Sequence, residues 1–147
     1  MNAGAREELT TFLHAKIPLT RAMEVNVESY DKKKLVLTAP LPANHNHLGT
    51  AFGGSLAALA MLAGYGLLWL ELGRRDAHVV VSECALKFRR PVRGTLRAVC
   101  AWPDDERGAR FRADFAANGK ARIRLESAIE TEDETAVVFE GVYVARV

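Results

Sequence analysis

Apolar positions along this chain keep two rhythms, a period near 3.6 and a period of 2, and the order in which they alternate outlines a fold. Leu9, Phe12, Leu13 and Ile17 recur at helical spacing with Arg6, Glu7, Glu8 and Thr11 between them. This predicts a short amphipathic helix from about Ala5 to Lys16, stopped by Pro18. Met23, Val25 and Val27 then alternate with Glu24, Asn26 and Glu28, a polar turn follows at 31–34, and Leu35-Val36-Leu37-Thr38 returns the chain as the second arm of a hairpin. Pro40 and Pro42 end that arm, because proline has no N–H for a ladder, and residues 43–50 form a polar loop. A long helix from about Gly53 to Gly73 comes next, about 30 Å at 1.5 Å per residue, with Arg74 and Arg75 at its carboxy end, where cations suit the helix dipole.

The second half repeats the scheme. Val79 to Phe88 reads as a long strand, Pro91 to Gly94 as a turn, and Thr95 to Trp102 as the returning strand of a second hairpin, which would set Cys84 nearly opposite Cys100. Pro103-Asp104-Asp105-Glu106 starts a short helix with Phe111 and Phe115 on one face and Asn118-Gly119 as its stop. Ala121, Ile123, Leu125 and Ile129 alternate with Arg122, Arg124, Glu126 and Glu130, as in a strand with one wet face. After a turn at 131–134, the nearly continuous apolar run from Ala136 to Val147 predicts a strand central in the sheet or buried at a subunit contact. The expected fold is α+β: one antiparallel sheet curled around a long helix that needs no polar face.

Between Leu35 and Leu70 the chain has no Asp, Glu, Lys or Arg, and residues 51–70 are long enough to cross a bilayer. Their Gly and Ala content, their single copy and their alternating flanks favour instead the core helix of a soluble fold, buried along nearly all its circumference. No membrane partner is expected. The 147 residues make one domain with a single core. Twenty basic against eighteen acidic residues leave a net charge of +2, unlike the dense basic stripe of a nucleic-acid binder. The two cysteines show no CxxC spacing, and the amino terminus lacks the order of an export signal, so a cytoplasmic location is expected.

The chemistry concentrates where the loop enters the long helix. Backbone N–H groups at a helix amino terminus are donors for a developing negative charge, and Gly53 and Gly54, without side chains, let a ligand approach them closely; the same glycines could equally serve helix packing under a sheet. Asn46 could orient a water or a carbonyl, or close a turn. His45-x-His47 has no further ligand at recognisable spacing, so no metal site is expected. Cys84 has no neighbouring His to activate it, and no GxGxxG or P-loop pattern is present. Lys87, Arg89, Arg90 and Arg93 form a basic cluster that suits phosphates or simply a solvated turn.

The segment Asn46-His47-Leu48-Gly49-Thr50-Ala51-Phe52-Gly53-Gly54-Ser55-Leu56, together with Phe88-Arg89-Arg90-Pro91-Val92, resembles the hotdog-fold thioesterases, and more closely the thioesterase domain at the carboxy terminus of YiiD-type acetyltransferases. The resemblance spans nearly the whole chain. It implies a hotdog fold, a homodimer or dimer of dimers, and hydrolysis of acyl-coenzyme A or acyl-carrier-protein thioesters without metal or redox cofactor, at the start of the long helix near the subunit interface. In many relatives a His precedes the paired glycines and an acidic residue lies about nine positions further on; here those positions are Phe52 and Met61. The nearest substitutes are His45, His47, Thr50, Ser55, Ser82 and Glu83. The candidate catalytic residues are thus Asn46, Gly53 and Gly54, with His47, adjacent to Asn46, in place of the missing base, and the candidate substrate contacts are Thr50, Phe52, Ser55, Ser82, Arg89 and Arg90. The competing expectation is a hotdog that binds acyl thioesters, or assembles, without turnover.

Overall fold

The computed structural model describes residues 3–147. Its elements run α1 (Ala3–Lys16), α2 (Pro18–Ala22), β1 (Asn26–Tyr30), β2 (Lys34–Ala39), a 3-10 turn (Leu41–Ala43), α3 (Gly53–Leu72), β3 (His78–Phe88), β4 (Leu96–Ala101), α4 (Glu106–Asn118), β5 (Lys120–Glu130) and β6 (Thr135–Arg146). Pro18 ends α1 and also opens α2, since a proline at the first helical position gives up only an N–H that would have no partner anyway. Asp105 caps α4 by accepting from the Arg107 N–H at 2.9 Å, and Gly119 closes it in the left-handed region at φ 67°.

Six strands form one antiparallel sheet in the order β1-β2-β4-β5-β6-β3. β6 lies between β5 and β3, which accounts for its lack of a wet rhythm. The expected second hairpin does not form. β3 pairs with β6 at one edge while β4 sits between β2 and β5, so residues 89–95 cross the end of the sheet instead of turning tightly. Val92, 1% exposed, anchors that crossing by accepting a hydrogen bond from the Ala51 N–H at 2.8 Å. Cys84 therefore faces Gly141 on an exposed edge, whereas Cys100 is buried between Leu35 and Ser127. Burial pushes the Cys100 thiol up to about 11.

The inner sheet face wraps α3, whose Leu59, Ala60, Ala63, Leu67 and Leu68 are wholly inaccessible. Each such leucine contributes roughly 1.5–3 kcal/mol relative to exposure. Gly64 is glycine because a Cβ there would overlap the Tyr143 ring, and the Tyr143 hydroxyl donates to the Met61 carbonyl at 2.7 Å. The helix has the length and mean hydropathy, 1.6, of a membrane span, yet half of it is buried inside this fold. The expectation of burial around nearly the whole circumference needs correction, because one flank, Ala58, Met61, Leu62 and Tyr65, is only half-buried and Gly54 is exposed. The sheet curls around one side of α3, and α1 meets another part of it, with Phe12 stacked on Trp69 at 4.7 Å and Tyr65 at 6.5 Å and Leu9 against Gly66.

Candidate active site at the start of the long helix

The loop before α3 is held rigidly by two asparagines. Asn44, 3% exposed, donates from Nδ2 to the carbonyls of Met23 (2.9 Å) and Pro40 (2.8 Å), and its own carbonyl accepts the Phe52 N–H at 2.7 Å. Its Oδ1 is buried with no partner among the described residues. Asn46 closes the turn. Its Oδ1 accepts the N–H groups of Leu48 (2.8 Å) and Thr50 (3.1 Å), while Nδ2 donates to Thr50 Oγ1 (2.8 Å) and the Ala51 carbonyl (3.4 Å). Gly49 sits at φ 81°, a conformation that favours glycine. The loop thereby delivers Phe52 in extended conformation (φ −66°, ψ 133°) to the helix start.

That start is uncapped. Phe52 has no oxygen to offer, no acidic residue occupies the first turn, and the first helical bond runs from the Leu56 N–H to the Phe52 carbonyl at 3.0 Å. The N–H groups of Gly53, Gly54 and Ser55 have no hydrogen-bond partner among the described residues. An exposed glycine, Gly54, stands in the middle of this turn, and a Cβ on Gly53 would meet the Phe88 ring at 3.7 Å. Phe52 and Phe88, 55% and 56% exposed, lie against Gly54 and Gly53, and Leu48 on the loop before them is 74% exposed, so apolar surface borders the start of the helix. Unshared donors at the positive end of a helix dipole, beside apolar surface, can polarise a carbonyl oxygen of an otherwise apolar ligand.

The structure thus brings Asn46, Thr50, Phe52, Gly53, Gly54 and Ser55 together. Several of them already have hydrogen-bond partners within the loop. All of the Asn46 amide is engaged inside the turn, and the Thr50 hydroxyl is taken by Asn46, so both hold the loop in place. His47 is exposed at the tip and makes no hydrogen bond to Asn46 or to the helix start. Ser82 lies at the β3 bulge, donates to the Val142 carbonyl at 3.2 Å, and is six residues, roughly 20 Å of strand, from Phe88. It is not brought to the helix start within one chain. Arg90 turns into a groove of about 870 Å³ and pairs there with Glu134 at 3.1 Å. Arg89 lines a second concavity, about 590 Å³, with Val99, Ala128 and Val138. Both arginines follow Phe88 in sequence, yet neither points to the three free N–H groups.

Sequence reasoning missed Asn44, which a polar loop does not distinguish from Asn46, and the apolar rim of Leu48 and Phe88, whose exposure only the fold reveals. Among the described residues no three His, Cys, Asp or Glu side chains gather in a way that could hold a metal ion.

A family model described as "Putative thioesterase (yiiD_Cterm)" matches residues 6–147. Among solved structures, a protein of unknown function from Chlorobaculum tepidum is 38% identical with a TM-score of 0.86, over 96% of this chain and 93% of that one. A protein from Shewanella oneidensis described as a putative thioesterase is 26% identical with a TM-score of 0.83, over 97% and 98%. A Pseudomonas aeruginosa protein described as a probable thioesterase is 26% identical with a TM-score of 0.77, over 95% and 94%.

Proposed function

We propose that this chain, which belongs to the YiiD carboxy-terminal thioesterase family and has its hotdog fold, hydrolyses acyl thioesters of coenzyme A or of an acyl-carrier protein by polarising the thioester carbonyl at the start of α3. The observation that carries this reading is the set of three unshared N–H groups at Gly53, Gly54 and Ser55. As water adds to the thioester carbon, charge moves onto the carbonyl oxygen; preorganised donors stabilise that charge more than they stabilise the ground state. The tetrahedral intermediate then collapses, the C–S bond breaks, and the thiol leaves with a proton. Phe52, Leu48 and Phe88 receive the acyl chain, and Asn46 and Thr50 keep the donors in place.

The working unit in this proposal is a dimer in the cytoplasm. The two sheet edges differ. Both carry a bulge, but β1 is short and packed by α1, whereas β3 is an 11-residue edge with Val80 and Phe88 exposed, the kind of edge that invites pairing. A second copy along β3 also covers the half-buried flank of α3. Light scattering at micromolar concentration should give at least twice the chain mass.

One observation favours the non-catalytic alternative: the loop and the first turns of α3, residues 44–58, hold no titratable side chain besides the exposed His45 and His47. A screen of thiol release over coenzyme A and carrier-protein thioesters of graded acyl length decides between them. Turnover above the spontaneous rate supports the hydrolase; binding without turnover at every chain length supports the binding module.

A further inference from the structure

The sheet face turned away from α3 carries an unbalanced charge at one end. Strand register places His78 of β3 opposite Arg146 of β6, and Arg146 opposite Lys120 of β5. Three basic side chains thus stand in one row about 10 Å across, at 4.7–4.9 Å per strand. The next outward row is Val80, Val144 and Arg122, which adds a second guanidinium and two valines. All four basic residues are exposed, Val80 is 58% exposed, and Val144 is half-buried.

None of these four makes an ion pair among the described residues. Two residues along β5, by contrast, Arg124 is neutralised by Glu140, and Asp76, the carboxylate next to His78, is occupied by Arg74 at 2.6 Å. Like charges directly opposite on neighbouring strands destabilise a sheet, so an anion bound across the row would relieve a repulsion the fold otherwise carries. A cation row this compact matches a few phosphate groups, whereas a protein partner would need about 800 Å² of surface. The valine tile beside it offers a flat apolar seat for a base.

We propose that Lys120, Arg122, Arg146 and His78 form a phosphate-binding platform for a nucleotide carrying two or more phosphates, its base laid on Val80 and Val144. The nucleotide has two sources: a free nucleotide diphosphate, or the nucleotide end of a coenzyme A thioester. The second source rests on the thioesterase reading. His78 is ten residues, roughly 33 Å, from Phe88 of the same strand, but two copies paired edge to edge about a two-fold axis run their β3 strands antiparallel. That pairing brings the row of one copy to the strand end that carries the other copy's helix start, on the opposite face of the sheet, so the pantetheine arm would pass around that end.

The test is calorimetric titration of the full chain at low salt with ADP, desulfo-coenzyme A and pantetheine, for wild type, Arg146→Glu, Lys120→Glu and the milder Arg122→Gln. Lys33→Glu, on the β1–β2 turn, controls for net charge. Removing any one cation of the platform should weaken nucleotide binding at least about tenfold, with Lys33→Glu close to wild type and pantetheine unbound by this surface. Tighter binding of desulfo-coenzyme A than of ADP assigns the platform to the substrate's nucleotide end; equal binding assigns it to a free nucleotide. Absence of nucleotide binding to wild type, or equal weakening in Lys33→Glu and the row variants, overturns the proposal. No readout depends on turnover, so failure of the hydrolase reading leaves this result interpretable.

Discussion

The two ends of α3 are built to opposite ends of a physical trade. The carboxy end is tied down by side chains: Gly73 stops the helix in the left-handed region at φ 63°, and Glu71, whose side chain is 9% exposed, accepts from Arg112 at 2.9 Å and from the Tyr30 hydroxyl at 3.4 Å. Arg112 lies over Trp102, and Arg75 lies over Trp69 while pairing with Glu8 of α1. These contacts tie α1, β1 and α4 to one helix end. At the amino end three donors are left without partners, the cap residue is a phenylalanine, and its ring lies against Gly54 where a Cβ would stand. A helix terminus left unpaired beside a rigid loop forgoes stability in exchange for a place to bind negative charge.

The largest expected effect comes from closing the open end. Gly54→Val should reduce kcat/KM for thiol release about a hundredfold to a thousandfold, the range of about 2.7–4 kcal/mol associated with one preorganised donor. The melting temperature should move little, because Gly54 is exposed and the atoms nearest to its new Cβ belong to the movable, exposed Phe52 ring. A large fall in melting temperature with unchanged kcat/KM would reverse the assignment of roles to the two ends.

Loosening the closed end should do the opposite. Glu71→Gln weakens the charge-assisted contact with Arg112, which should cost about 1.5–3 kcal/mol in urea unfolding while kcat per folded molecule stays near wild type. The same end should respond to alkali. Burial first, and then the Glu71 carboxylate, push the Tyr30 hydroxyl up to about 12 from its usual 10.0. The folded state therefore holds its proton more tightly than the unfolded state, and this contribution, complete below pH 10, is lost as pH rises toward 12. Cys100 has the same sign with an earlier onset, from 9.0 toward about 11. Tyr30→Phe should make the decline above pH 10 shallower in a pH series of urea midpoints and leave the parts due to Cys100 and to Tyr143, whose hydroxyl burial also pushes up.

These contrasts also show what could be read from the sequence. The amphipathic α1, the strand alternations of β5, the Asp105 and Gly119 ends of α4 and the Gly-Gly start of α3 are local signals, and each is where the pattern placed it. The partner of β3 is not local: Phe88 pairs with Val137, and nothing near Pro91 or Gly94 distinguishes a tight turn from a crossing. The site divides in the same way. That Asn46, Gly53 and Gly54 meet at a helix start follows from their spacing, but how Asn46 uses its amide depends on where the Leu48, Thr50 and Ala51 backbones fold around it.

Asn46 supplies a sharper probe of the open end. Asn46→Ala removes four hydrogen bonds from the turn and should cost about 0.5–2 kcal/mol of stability together with a fall in kcat. Asn46→Asp keeps the acceptor for Leu48 and Thr50 but cannot donate to Thr50 Oγ1 or the Ala51 carbonyl. Activity recovered by aspartate would mean that the acceptor half of the amide positions the donors.

The smallest effect belongs to His47. It sits one residue from Asn46, which makes it the natural heir to a missing base in sequence, yet its ring is exposed and makes no hydrogen bond to Asn46 or the helix start. A base must come within hydrogen-bond reach of the water it activates, and geometry takes precedence over acid strength. His47→Ala should therefore change kcat/KM by less than about twofold, the scale of a surface substitution, and leave the pH profile between 5 and 8 unaltered. If the profile flattens instead, the loop tip closes over bound substrate, and the open end of α3 includes a movable acid–base group in addition to its fixed donors.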